Sequence, residues 1–291
     1  MSALQLSEEA AAAAGARTGV LRRLVRRPGT AIALGVLVLL VVLALFGPVV
    51  FTPPDAIDVP ARYAAASWAH PLGTDELGRD LLSRIAAGGR VSLLIGLAST
   101  AIAMLLGTVW GAVAAARRGW LDEILMRIGD AFMAIPMILF ALIFVAAFGG
   151  DAVTLALVIG LLMSPLTARI ARATVLGEIT TEYVRGLRAV GASQPRILFT
   201  EILPNTTPAL MAQASLNMAT ALMVEASLSF LGLGVQPPTA SWGTLLQQGY
   251  TKLFESISYP LVPAFVVVIA IAAFNTVGNG VQRILIGDDR D

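Results

Sequence analysis

The sequence contains no cysteine, one histidine (His70) and one lysine (Lys252). The missing cysteines exclude disulfides, thiolate nucleophiles and cysteine-held metals together. A lone histidine excludes a His-rich metal site, and without a G-x-S-x-G turn no serine stands beside a base. No catalytic or metal-binding residue is expected, and the chain reads as a non-enzyme. Charge is scarce as well: 13% of the 291 residues are Asp, Glu, Lys or Arg, against 57% hydrophobic. Soluble domains carry about 25% charged residues, so this composition belongs in a bilayer. Nineteen of the twenty cations are arginine and the net charge is only +1, which leaves no lysine-rich tail for nucleic acid.

What is present is a series of charge-free runs, at 28–54, 91–116, 131–150, 152–168, 202–224 and 256–282. A helix crosses the hydrocarbon core in about 20 residues, so the reading is an all-α membrane protein with six transmembrane helices. Arg22, Arg23, Arg26 and Arg27 precede the first run, which is long for a signal peptide and ends in Pro48, Pro53 and Pro54 without an A-x-A site. It is expected to remain as an anchor. With the N-terminus inside, fifteen of the twenty Lys and Arg fall on inner segments, and only Arg62, Arg79, Arg84, Arg90 and Lys252 fall outside. The positive-inside rule therefore places both termini in the cytoplasm. The chain divides into a poorly ordered tail (1–20), the anchor (21–52), an outer segment (53–90) and a five-helix core (91–287), with a short tail at 288–291. Within the core lie an inner loop (169–205) and an outer loop (234–258).

The outer segment contains a deceptive motif. Gly73 to Asp80 imitates the phosphate-binding pattern G-x-x-x-x-G-K-[ST], but Arg79 replaces the lysine and Asp80 the hydroxyl, among acidic Asp75 and Glu76. Lys252 follows Thr251 rather than glycine, so no such loop exists elsewhere in the chain. The local reading is a turn at Gly73, a short helix capped by Thr74 or Asp75, and exposed pairs among Asp75, Glu76, Arg79, Asp80 and Arg84. His70, beside Pro71, reads as a loop-packing residue.

The inner segment reads EITTEYVRGLRAV from 178 to 190, with Ile179, Tyr183, Leu187 and Val190 at helical spacing and Gly191 as the stop. A second run, 195–203, leads to Pro204. Such a helix-turn-helix either packs on its own helix ends or offers its apolar face to a partner groove. On the fifth span Gln213, Asn217 and Glu225 share one face, and Asn275 and Asn279 pair on the sixth. Polar groups at that depth either line a polar path or join helices by hydrogen bonds, and the sequence leaves both open.

The segment EYVRGLRAVGASQPRILFTEILPN (182–205) is similar to the cytoplasmic loop of ABC importer membrane subunits, where an E-A-A-x-x-x-G motif with a later Leu-Pro docks into the ATPase. Gly191 matches the motif glycine and Leu203-Pro204 its end. Arg185, Gly186 and Leu187 stand where the general pattern has Glu-Ala-Ala, and Glu201 where it has isoleucine. HPLGTDELGRDLLSR (70–84) and LSFLGLGVQPPTASWGTLL (228–246) resemble the C-type permease of dipeptide, oligopeptide and nickel importers. The glutathione importer shares these stretches too.

The resemblance implies a type I importer permease in a bacterial cytoplasmic membrane, carrying short peptides. It implies three kinds of protein partner: a homologous B-type permease, two ATP-binding subunits or one fused ATPase, and an outer substrate-binding protein. No cofactor is implied on this chain, since ATP and Mg would sit on the ATPases. Coupling would fall to Glu182, Tyr183, Arg185, Gly186, Leu187, Val190, Gly191, Ala192, Leu203 and Pro204. Docking of the binding protein would fall to Gln236, Pro237, Pro238 and Trp242. Two rival classes lack their marks: no inverted repeat with an ion site suggests a secondary transporter, and no ring of charge suggests a channel filter.

Overall fold

The structure, a computed structural model, describes residues 24–286, so the tails predicted at 1–20 and 288–291 lie outside the described residues. Helices α1 (Pro28–Val50), α2 (Leu81–Arg117), α3 (Trp120–Ala134), α4 (Met137–Phe148) and α5 (Ala152–Ile179) are followed by the short α6 (Glu182–Ala189). A single turn α7 (Gln194–Arg196) then passes through a π-helical stretch (Ile197–Ile202) into α8 (Leu203–Phe230), and α9 (Trp242–Tyr250) and α10 (Ser258–Ile286) complete the order. One isolated bridge pairs Thr74 with Asp80.

Helix starts follow side-chain chemistry. Asp80 caps α2 by accepting from the Ser83 backbone N–H, Asp151 caps α5 through Val153 and Thr154, and Ser241 and Thr244 form a capping box on α9. Pro28 sits in the first turn of α1, where its missing N–H costs nothing. α1 packs on α2 and α10 through a narrow stripe of Thr30, Ala33, Leu40, Ala44 and Gly47, and turns its valines, leucines and Phe46 outward. An apolar outward face of this kind belongs against lipid.

The longest crossing, α2 against α5, depends on absent side chains. A Cβ at Gly107 would stand 2.5 Å from Thr167 Cβ, one at Gly111 2.2 Å from Ala168 O, and one at Gly160 2.7 Å from Ile102 Cβ. Glycines four apart on α2 let the backbones close, which is how helices gain contact where lipid is as apolar as leucine. One core cluster joins α2, α4, α5 and α8 around Ile95, Leu155, Ile159 and Leu228. A second joins α1, α2, α8, α9 and α10 around Leu40, Ile85, Leu222, Trp242 and Leu245.

Among the described residues four helices are long and apolar enough to cross a membrane: α1, α2, α5 and α10. The third predicted span, 131–150, holds α4 and only the last turn of α3, and these two helices are bent by 83° around Ile135 and Pro136. The fifth, α8, has 28 residues but interrupts its apolar surface with Gln213, Asn217 and Glu225. Two expected boundaries move. Helix α5 continues past 168 to Ile179, absorbing the first part of the inner loop, and the predicted outer loop contains α9.

The short outer helix predicted after Gly73 is absent, and the ion pairs there are not exposed ones. Asp75 is fully buried; its Oδ1 accepts from the backbone N–H groups of Leu77 and Arg79 at 2.8 and 2.9 Å. Its Oδ2 meets Arg79 Nε at 2.6 Å and Arg84 at 3.2 Å. The amides that would cradle a phosphate are thus turned onto the chain's own carboxylate. Arg84, also buried, donates to Gln248 on α9, whose Oε1 accepts from Tyr259 on α10. The segment is a knot tying the outer loop to three helices.

A candidate coupling helix and a buried polar seam

At its C-terminal end, α5 stops at Thr180, where the hydroxyls of Thr180 and Thr181 fold back onto the Gly177 and Glu178 carbonyls. Side chains that bond their own backbone compete with the helix, and the chain turns before α6. Because this break resets the register, the predicted apolar face starting at Ile179 does not hold. Val184 is the buried residue of α6, inserted among Ala112, Ala115, Val175, Ile179, Ile197 and Ile202, with Leu187 and Ala192 at the margin. Glu182, Tyr183, Arg185, Gly186 and Val190 are exposed, Val190 at 81%.

Gly191 ends α6 as the sequence predicts. Its φ is +84°, its N–H reaches Arg188 O at 3.0 Å, and Ala192 N–H reaches Leu187 O at 3.0 Å. That bond pair, around a left-handed residue, is a Schellman cap. The Tyr183 hydroxyl donates to Glu178 at 2.8 Å and accepts from Asn205 Nδ2 at 3.2 Å, so α6 is tied both to the end of α5 and to the start of α8. Partial burial is the largest cause holding the Tyr183 phenol above its ordinary pKa, and it stays neutral at physiological pH.

The second expected helix does not stop at Pro204. The π-helical stretch leads without a break into α8, where Leu203 is half-buried and Pro204 exposed in the first turn. A proline cannot donate to the fourth residue back, and a widened turn absorbs that gap. Val190 and the 66% exposed Phe199 leave an apolar surface that is uncovered among the described residues.

The fifth-span polar residues lie inside the chain's own bundle. Gln213 Nε2 donates to Asn217 Oδ1 at 2.8 Å, and Asn217 Nδ2 donates to Thr167 on α5 at 3.0 Å. Glu225 accepts from Ser92 on α2 at 3.0 Å and from Ser229 at 2.8 Å. Ser92 in turn accepts the Trp242 backbone N–H at 3.1 Å. All three residues are buried, and Asn217 and Glu225 bond across to α5 and α2. Asn275 is half-buried and Asn279 exposed on α10. Gln236, Pro237 and Pro238 are exposed on the outer loop, but Trp242 is not a surface residue. It is 2% exposed, stacked beneath Gly89, with its indole N–H on Ile85 O at 3.0 Å. An aromatic among prolines and glycines reads as a surface anchor; only the close approach allowed by Gly88 and Gly89 shows it to be core.

One ionic feature carried no sequence signal. Arg172 on α5 grips Asp122 on α3 with Nε and a terminal nitrogen, both at 2.6 Å, and Arg169 donates to Asp130. The partners lie about 40–50 positions apart, beyond any local pattern.

Residues 107–287 match the family model described as binding-protein-dependent transport system inner membrane component. Residues 18–66 match the N-terminal transmembrane domain of oligopeptide transport permease C. A putative peptide permease of Brucella suis biovar 1 is 37% identical over 256 residues, 82% of this chain and 85% of that protein. A probable D,D-dipeptide transport system permease of Escherichia coli K12 is 34% identical, covering 89% and 87%. A glutathione transport system permease of Pectobacterium atrosepticum is also 34% identical, with the same coverage. In fold, the chain is similar to a chain of the MetNI methionine ABC transporter in an inward-facing conformation. The TM-score is 0.59 at 19% identity, over 71% of this chain and 97% of that one.

Proposed function

The chain belongs to the family of binding-protein-dependent transport system inner membrane components, and we propose that it is one permease subunit of an ATP-driven importer of short peptides. The observation that carries the substrate class is the run of relatives named for peptides, a D,D-dipeptide and glutathione, each matched over more than four-fifths of this chain. A multi-pass inner-membrane protein of this family works with ATPase subunits and a second permease.

Six crossings by α1, α2, the bent α3–α4, α5, α8 and α10, with both termini in the cytoplasm, fit the arginine distribution. The same division keeps α1 as anchor, 53–90 and the 234–258 loop outside, and α6 inside. In that frame α6 is the coupling helix. Its exposed Glu182, Tyr183, Arg185 and Val190 would enter an ATPase groove, while Val184 fixes it to α2, α5 and the π-helical stretch. Gln236, Pro237 and Pro238 would meet the substrate-binding protein. ATP and Mg act on the ATPases, and this chain supplies leverage and part of the path.

Reconstitution in proteoliposomes tests the reading. Labelled dipeptide should enter only when the partner permease, ATPases, binding protein and Mg-ATP are all present. Dipeptide uptake by this chain without an ATPase would refute it.

A further inference from the structure

We propose that Asp122 and Asp130 of α3, held by Arg172 and Arg169 of α5, are positioning residues that carry motion of the inner loop into the bent α3–α4 pair. The proposal rests on the reading of α6 as the coupling helix.

The mechanical chain is continuous. Only Thr180 and Thr181 separate α5 from α6, and two further bonds close that joint: Tyr183 to Glu178 at 2.8 Å and Arg185 to the Thr180 carbonyl at 3.1 Å. A displacement of α6 is therefore imposed on the end of α5. Arg172 stands about two turns back from that end, and its two-pronged grip on Asp122 fixes angle as well as distance. The two ion pairs are unequal. Arg172 and Asp122 are 31% and 14% exposed, whereas Arg169 and Asp130 are about half exposed, and a solvated pair contributes little. Asp122 is thus the principal contact and Asp130 an auxiliary one.

Apolar contact alone would let α3 roll. Gly129 is the one fully buried residue of α3, lying against Pro165 and Trp110, while Trp120, Ile124 and Ile128 are exposed. A helix touching through a glycine has little to set its rotation; the fork at Asp122 does. Beyond Ala134 the chain turns into α4, and Phe132 stacks on Phe140 across the bend at 5.9 Å. Phe140, Phe144 and Phe148 continue the stack along α4, whose Ala141 and Val145 are buried in the core with α5 and α8. A rotation of α3 is consequently passed to α4 and not absorbed at Pro136.

The test uses the assembled complex in proteoliposomes and reads peptide uptake per ATP hydrolysed. Asp122→Arg and Arg172→Asp should each lower that ratio by about tenfold, and the double swap should recover most of it, because charge reversal on both sides rebuilds the pair. A native ratio in both single variants, or a double swap no better than either, overturns the proposal. Should the reversals fail to assemble, the milder Asp122→Asn decides. Spin labels on Glu123→Cys and Ala173→Cys, in this cysteine-free chain, should keep their separation when ATP is added to the native sequence and change it in the Asp122→Asn background. Constant separation in both, or a change in the native sequence, also overturns it. The coupling-helix reading fails separately, through native uptake in α6 variants, so the two failures are distinguishable.

Discussion

Replacing Arg90 with leucine should loosen α1 from the bundle by about 1–3 kcal/mol, because one carbonyl then loses its donor. Pro48 lies inside α1 and has no N–H, so the carbonyl of Ala44, four residues earlier, lacks its helical partner. Arg90 of α2 supplies the substitute, with Nε 3.3 Å from Ala44 O and a terminal nitrogen 2.9 Å from Leu45 O. Water has poor access, since Ala44 is buried and a Cβ at Gly47 would already stand 2.4 Å from Ala86. A carbonyl left unsatisfied while buried between two helices falls within that range. Pro48→Ala restores the missing N–H and removes the need for Arg90. The double variant should then recover most of the loss, a coupling of about 1–2 kcal/mol in the cycle. Reversible SDS unfolding in bicelles measures all four chains. Equal losses from Arg90→Leu with and without Pro48 would refute the account.

Gly191→Val should leave an assembled complex that binds ATP but loses uptake and substrate-stimulated hydrolysis. A β-branched residue at φ +84° is strained by ~1–2 kcal/mol, and with no atom within 4 Å of the new Cβ the effect is conformational, not a clash; native activity sinks it. Cysteines at Ser67 and Gln236 should react with an impermeant thiol reagent outside intact cells and one at Ser193 should not, the opposite pattern reversing the topology; Ser241, fully buried, is unsuitable for this test. Calorimetric titration of the isolated chain with Mg-ATP should show no stoichiometric site, the amides of the Gly73–Asp80 loop being occupied by Asp75. A lipid-soluble photoreactive carbene should label α1 most heavily and α8 least among the crossings, and equal labelling of the two would remove α8 from the bundle's centre.

The long apolar helices α1, α2, α5 and α10 were legible because charge is excluded over long runs, and the end of α6 because a left-handed cap selects glycine. The buried face of α6 was not. Periodicity read from Ile179 crosses the Thr180–Thr181 break, and a helix restarted after a turn keeps no phase with the one before it, so Val184 was missed. The outer knot was illegible for a related reason. Asp75, Glu76, Arg79 and Arg84 are near in sequence and read as exposed pairs, but Gln248, which Arg84 meets, and Tyr259, which meets Gln248, arrive from helices distant in sequence, and those contacts accompany burial. The bend at Pro136 falls inside the third charge-free run, 131–150, which reads as a single span, and nothing local sets its angle.

Proline and polarity inside the spans obey one constraint. Each freed backbone group needs a donor in the same place, since lipid offers none. Arg90 serves the gap at Pro48, and the Ser164 hydroxyl, 2.7 Å from Leu161 O, serves the one at Pro165. The same logic orders whole helices. Among the four straight spans hydropathy falls in the order α1, α10, α2, α5, while the share of residues buried inside the chain rises from 17% through 28% and 39% to 56%. Hydropathy here ranks helices by contact with lipid, not by whether they cross. α8, more polar than any of these, extends the series: Gln213, Asn217 and Glu225 are buried, and their bonds run to Thr167 of α5 and Ser92 of α2. A helix that its own neighbours screen from lipid can carry an amide pair and a carboxylate because those neighbours supply bonding partners, and its low hydropathy goes with that buried position.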